Sequence, residues 1–297
     1  MIRFVLLAII LIVGAAVIAM AWQHIRYLNL RRRAVQDHQG MLYGRGVFHV
    51  LTFLRGASAE DPIAAVRAFR EAIRGGGGRW IYAGKVVVNV PSVRIGPVEW
   101  SAVTLVEYQS REAYERYALS DAYRAALAAF EEHYVQGARR SVMENLLLPQ
   151  ALLLKKVAAA VSRKQSEYPF TPMPPQALPP RVCETMARLR AETGPGRDAA
   201  VVVNLQQKGD EQMRANDRRY TSPMTRLMAE RGYGPMHLAK AETLPGGLPF
   251  DRVAIVYYPG TGFFADMLGS TFYQRIVPSK QLADNQSTIT APILDRL

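Results

Sequence analysis

The chain has 297 residues, 49% of them hydrophobic and 21% charged, a balance that packs a core and excludes wholesale disorder, collagen and coiled coil. Its single cysteine excludes a disulfide framework and a thiolate metal cluster. The net charge of +12 is clustered: residues 1–40 carry five arginines against one aspartate, and residues 155–164 carry four cations and no acid. Both clusters flank apolar runs, which suits anionic lipid better than nucleic acid, so no nucleic-acid partner is expected.

Phe4 to Trp22 contains no charge and is long enough, at ~1.5 Å per residue, to cross a hydrocarbon core of ~30 Å. The first 23 residues therefore read as a transmembrane anchor and 24–45 as a basic juxtamembrane segment. Arg26, Arg31, Arg32 and Arg33 resist translocation and place the body on the cytoplasmic side of a bacterial-type inner membrane. The competing reading is a signal peptide cleaved after Ala19-Met20-Ala21, which places the body in the periplasm.

Residues 46–145 alternate strand and helix signals. Val47–Leu54 reads as a strand; Asp61-Pro62 starts a helix that carries Ile63, Val66, Phe69 and Ile73 and ends at Gly75. Strands follow at Trp80–Val90 and Trp100–Tyr108, then a helix from Arg111 to about His133 and a weak strand at Gln136–Met143. The order is that of a ferredoxin-like unit. Residues 146–165 form a Leu-rich helix with a basic end, including Lys155 and Lys156, read either as lying in the bilayer surface or as packed on the domain with a solvated Lys/Arg end. Residues 166–198 comprise a linker whose six prolines between 166 and 181 predict an extended spacer, then a short helix and the turn Gly194-Pro195-Gly196.

The same order restarts over 199–297: strand Ala199–Leu205, helix Asp210–Arg231, strands Met236–Leu244 and Phe250–Tyr258, a helical stretch Phe263–Leu282 and strand Ser287–Ile293. A shift of 150 residues superposes Val103 on Val253, Tyr108 on Tyr258, Ser120 on Ser270 and Tyr123 on Tyr273. An internal duplication is the reading, with each serine capping a renewed helical turn.

Gly78–Lys85 (GRWIYAGK), Trp100–Val103 (WSAV), Val106–Ser110 (VEYQS) and Ser120–Tyr123 (SDAY) resemble the thirteen-thirty family of domains of unknown function. The match is good over about Val47–Gly137 and loose from Ala199 onward. That family sits in the dimeric α+β barrel superfamily, with the EthD-like and antibiotic-biosynthesis-monooxygenase-like proteins. The resemblance implies an α+β fold in which two tandem ferredoxin-like units close an intramolecular barrel behind one transmembrane helix. Its motif defines fold and transfers no catalytic residue; the superfamily's chemistry ranges over cofactor-independent oxygenases, isomerases, haem enzymes and proteins of no known activity.

The residues themselves name no reaction. Gly75–Gly78 joins a helix to a strand and reads as a turn, as does Pro259–Gly262, because phosphate loops lead from strand into helix. None of the five histidines has a partner at ligand spacing, so no metal site is expected. Haem remains open, with His133 or His237 as the axial group. If the barrel is hollow, Tyr82, Tyr108, His237, Tyr257 and Tyr258 are its ligand-binding polar points, and Glu107 beside His49 is the base and its orienter. The plainer reading leaves Glu107 in solvent at a strand end and the tyrosines in the core. Three roles follow: an accessory or scaffold protein of a membrane complex, a binder of a small apolar ligand, or a cofactor-independent monooxygenase or isomerase. Arg31, Arg32, Arg33, Lys155 and Lys156 are the expected membrane-surface residues.

Overall fold

A computed structural model describes residues 2–35, 46–56, 62–163, 165–192 and 199–297. Asp61, Lys164, the turn at Gly194-Pro195-Gly196 and the side chain of Arg33 lie outside the described residues.

One helix, α1 (Ile2–Val35), carries both the apolar run and the arginines that follow it. It is long and apolar enough to cross a membrane or to serve as a signal sequence. Its large apolar side chains from Phe4 to Trp22 are 44–79% exposed. The helix changes role after Trp22: His24, Tyr27, Leu28 and Arg31 are buried against the body. The Tyr27 hydroxyl donates to the Pro235 carbonyl at 2.7 Å and Arg31 Nη1 to the Met236 carbonyl at 2.8 Å.

Eight antiparallel strands form a closed barrel: β1 (Phe48–Gly56), β2 (Arg79–Val90), β3 (Ala102–Tyr108), β4 (Phe130–Arg139), β5 (Ala200–Gln207), β6 (Gly234–Glu242), β7 (Arg252–Tyr258) and β8 (Asp284–Pro292). Around the barrel they run β1-β3-β2-β8-β5-β7-β6-β4, so each half repeats one relative order, β4-β1-β3-β2 and β8-β5-β7-β6. The halves meet at two seams, β2 on β8 and a shorter one where Gly137, Ala138 and Arg139 pair with Glu242, Ala241 and Lys240.

Alternation along each strand sorts side chains between the barrel interior and the helix-covered outside. Leu51, Phe53, Val103, Leu105, Val203, Leu205, Val253 and Ile255 turn inward and are fully buried. Phe48, Val50, Leu54, Val106 and Tyr108 turn outward under α2 (Pro62–Ala72), α3 (Arg111–Ala118) and α4 (Asp121–Ala128). The barrel interior is thus a packed core. Gly84 keeps it closed, since a Cβ there would stand 2.5 Å from the Tyr82 hydroxyl oxygen and 2.8 Å from Thr290 Cβ.

The outside of the second half is covered by α6 (Pro180–Ala191), α7 (Glu211–Arg231), α8 (Thr261–Leu268) and α9 (Thr271–Ile276). Between the halves in sequence, α5 (Val142–Val161) packs on α1 and α7; Gln150 Nε2 donates to the Met20 carbonyl at 3.0 Å. The serine caps form as expected: Ser120 Oγ accepts from Tyr123 N at 3.2 Å and Ser270 Oγ from Tyr273 N at 3.1 Å. β3 and β7 occupy residues 102–108 and 252–258, the same 150-residue offset.

Two expectations are corrected. The helix expected to reach His133 ends at Ala128 and β4 starts at Phe130, because Glu131, His133 and Val135 alternate with their neighbours at strand period. The proline-rich segment is not a free spacer. Pro172 bridges to Ser270, and Phe170 packs on Phe263 and Phe272 at 5.2 and 6.3 Å between ring centroids. Its aromatic residues supply apolar area that prolines alone lack, and this straps the segment to the second half.

Candidate functional site

A chamber of about 720 Å3 lies between the outer face of the second half-barrel and the helices above it. Its floor is built from register. Val88, Ile289, Val202, Val256 and Pro235 are consecutive cross-strand partners and form an apolar row. The next row, Val90, Ser287, Asn204, Ala254 and Leu238, is mixed. The third, Asn285, Gln206 and Arg252, is polar throughout. The chamber therefore runs from an apolar end to a polar end along the strand direction.

The roof follows the same gradient. Helix α7 starts from an Asp210 cap, whose Oδ1 accepts from Met213 N at 2.8 Å, and runs back over the sheet. Asp217 and Tyr220 lie near its start, Thr225 in its middle and Met228 near its end; Phe264 and Leu268 of α8 complete the apolar part. Lys280 and Tyr273 enter from the segment around α9, with Lys280 Nζ 5.8 Å above the Tyr220 ring and the Tyr220 and Tyr273 rings edge to face at 6.3 Å.

Burial dominates the electrostatics. It pushes the phenols of Tyr220, Tyr258 and Tyr273 upward, so all three remain protonated and able to donate. It raises the Asp217 carboxyl, which Lys280 and Arg252 pull back, and lowers the Lys280 ammonium, which Asp217 pulls back. Asn204 Nδ2 is held by the Ala254 carbonyl at 3.2 Å, while Asn204 Oδ1 and Asn285 Oδ1 are buried without a hydrogen-bond partner. An apolar cavity with a few convergent polar groups is the usual form of a small-molecule site.

Of the residues singled out from sequence, Tyr258 lines this chamber. The others are elsewhere. Tyr82 lies in the barrel interior, its hydroxyl 2.7 Å from Thr290 Oγ1. Tyr257 shares the interior core and stands 6.4 Å from the Tyr27 ring of α1. Tyr108 points outward beneath the helices of the first half, 5.2 Å from the Tyr114 ring. His49 and Glu107 do come together, as cross-strand partners with Nε2 and Oε2 3.2 Å apart, but Glu107 Oε1 is also held by Arg79 at 2.6 and 3.1 Å. His237 stacks edge to face on His49 at 4.6 Å, fully buried, its ring nitrogens without a hydrogen-bond partner.

Sequence reasoning missed Asp217, Lys280, Arg252, Asn204 and Tyr220. A signal was present for Asn204: it and Gln206 are polar at alternate positions of β5, an otherwise largely apolar strand. Of the expected membrane-surface residues, Arg32, Lys155 and Lys156 are exposed, whereas Arg31 is 1% exposed and bound to the Met236 carbonyl.

Haem finds no histidine among the described residues lining the chamber. His237 is shut inside the barrel, and His133 borders a separate cleft of about 570 Å3 between Tyr114 and Tyr134 of the first half and Leu244, just after β6. The chamber does not fit a histidine-ligated haem.

No family model matches the chain, and no curated protein matches it. Among solved structures it is similar to an anthrone oxidase-like protein, at 10% identity over 84% of this chain and 92% of that one, TM-score 0.44. It is similar to a monooxygenase-like protein of Fusobacterium nucleatum subsp. nucleatum, at 8% identity over 84% and 94%, TM-score 0.41. A chlorite dismutase mutant of Candidatus Nitrospira defluvii aligns at 9% identity over 88% and 94%, TM-score 0.44.

Proposed function

We propose that the protein is membrane-anchored and holds a small, largely apolar ligand in the chamber outside the second half-barrel. The observation that carries this is the chamber itself: about 720 Å3 of space, apolar at one end, beside a barrel interior that is filled. Protonated tyrosines and amide groups on its walls supply orientation. The test is to purify the full-length protein in mild detergent, extract it with organic solvent and identify what it carries by mass spectrometry. The wild type is expected to yield a near-stoichiometric small molecule that Ala254→Trp, which fills the middle of the floor, does not retain. A wild type that yields only bulk lipid and detergent, or a filled variant that keeps the molecule, overturns the reading.

The same proposal takes α1 as an uncleaved anchor with the body in the cytoplasm, on the strength of Arg26 and Arg31 to Arg33 just beyond the apolar run. It takes 46–145 and 199–297 as tandem ferredoxin-like units, supported by the repeated strand order and the 150-residue offset. It places α5 on the bilayer surface rather than against a protein partner. Met143, Leu147, Leu154 and Val161 form one exposed stripe, 48–79% accessible, opposite the buried Leu152 and Ala159. The bond between Gln150 and Met20 sets that stripe at the depth where the apolar run of α1 ends. A catalytic version, a cofactor-independent monooxygenase or isomerase, is favoured by one observation: Asp217 and Lys280 line the chamber with their ionisations opposed by burial. In that version the base is one of this pair, because Glu107 is occupied by Arg79 and His49.

A further inference from the structure

The gradient along the chamber narrows the ligand class. The polar row, Asn285, Gln206 and Arg252, lies at the end where β5 stops and α7 begins. Asp217 and Lys280 line that same end. Arg252 and Lys280 face Asp217 there, and Arg181 also lines the chamber, so among the described residues cations exceed carboxylates in a partly dry setting, which an anion would neutralise. Gln206 and Asn285 add amide N–H donors of the kind that hold carboxylate oxygens. From this end the floor passes through Asn204 and Ser287 to Val202, Val256 and Ile289, under Met228 and Phe264.

Resting on the chamber reading, we infer that the ligand is an amphipathic anion. Its carboxylate is seated between Arg252 and Lys280, and its apolar body lies along Val202, Val256 and Ile289 toward Met228. The apolar end also lies nearest the anchor: at Gly234, Met228 Sδ, Leu152 Cδ1 of α5 and the Tyr27 hydroxyl of α1 all stand within 3.4–3.6 Å of where a Cβ would be. Leu148 of α5 lines the chamber directly. An acyl carboxylate drawn from the adjoining bilayer has the length, polarity and orientation this slot accepts.

The test uses the full-length protein in nanodiscs of neutral lipid, photolabelled by a medium-chain fatty acid with a terminal diazirine and, in parallel, by the alcohol of the same chain. Labelling of peptides from α7 and α8 is normalised to labelling of α1, which corrects for partitioning into lipid. The acid is expected to label the chamber about tenfold more than the alcohol, with adducts at the Met228 and Phe264 end. Lys280→Met and Arg252→Met, each checked for an unchanged thermal midpoint, are expected to bring the acid down to the alcohol's level and leave the alcohol unaffected. Equal labelling by acid and alcohol, or an acid preference that survives both substitutions, overturns the anion while leaving the chamber reading intact. Chamber peptides labelled no more than α1 by either probe overturn both.

Discussion

Glu107 is the residue whose role the structure most sharply redefines, and Glu107→Gln tests it. The carboxylate is 9% exposed and takes three hydrogen bonds, from Arg79 Nη2 at 2.6 Å, Arg79 Nε at 3.1 Å and His49 Nε2 at 3.2 Å. Arg79 is 48% exposed, so solvent screens that half of the network and it contributes about 0.5–1 kcal/mol. The His49 bond is buried and charge-assisted, worth about 1.5–3 kcal/mol, of which glutamine keeps part. The expected loss is about 2 kcal/mol, or a drop of roughly 4–8 °C in thermal midpoint for a body of this size.

The pH dependence identifies the cause. Burial pushes the Glu107 carboxyl up, but the His49 hydrogen bond and the Arg79 guanidinium outweigh it and hold it below the usual carboxylate value. A group with a depressed folded pKa stabilises fully above its unfolded pKa of ~4.3 and loses that contribution as pH falls through the folded value. The contribution of Glu107 itself should therefore separate wild type from Glu107→Gln at neutral pH and vanish only below about pH 4. His237, lowered by burial, weakens the two proteins alike as pH falls below ~6.5, since the unfolded chain protonates first; His49, whose ionised form Glu107 supports, weakens Glu107→Gln more, so the gap widens in that range before it closes in acid. The assay is a thermal melt by circular dichroism of the full chain in detergent across this range. A substitution that leaves the midpoint within about a degree at neutral pH, or a gap that persists in acid, refutes the brace.

Two further predictions address the membrane face and the packed barrel. In a Cys183→Ser background, an environment-sensitive fluorophore at Leu154→Cys on α5 should shift to the blue in proteoliposomes of anionic lipid, while one at Val93→Cys, 92% exposed on the body, should report water; identical spectra would remove α5 from the bilayer. Gly84→Ala should lower stability by about 1–3 kcal/mol in the same melts, because the new methyl meets the Tyr82 hydroxyl and Thr290 in a core without slack; an unchanged midpoint would mean the barrel is hollow enough to yield.

Strand and helix order were legible because their signals are local. Alternating runs such as AVVVNLQQ, the Asp210, Ser120 and Ser270 caps and the glycine after α7 each act within a few residues. The 150-residue offset was legible for the same reason. What alternation cannot reveal is which parity of a strand faces inward, since one residue of register exchanges the two faces. Tyr108 and Tyr258 share a parity that points outward, so one is packed beneath helices and the other looks into the chamber. His49 and Glu107 share the inward parity, but the opposite wall brings His237 rather than space. Lys280 and Asp217 had no local signature at all. Their meeting depends on how α7 lies over β5 and β8, a contact between segments some sixty residues apart.

Under the proposed reading, two of the three roles weighed from sequence, a membrane-bound interaction protein and a ligand binder, meet on opposite faces of one helix. On its outer side α5 exposes Leu147, Leu154 and Val161 at the depth where α1 leaves its apolar run. On its inner side Leu148 walls the chamber and Leu152 closes on Met228 and Tyr27 around Gly234. Gly234, at φ +152°, has the backbone freedom to admit that three-way contact. On the proposed placement of α5, the exposed Lys155 and Lys156, two turns beyond Leu148, would bring their ammonium groups to anionic headgroups. On the proposed reading, anchor, surface helix and chamber are consecutive layers, and the apolar end of the chamber, where Met228 meets Leu152 and Tyr27, is the one nearest the membrane.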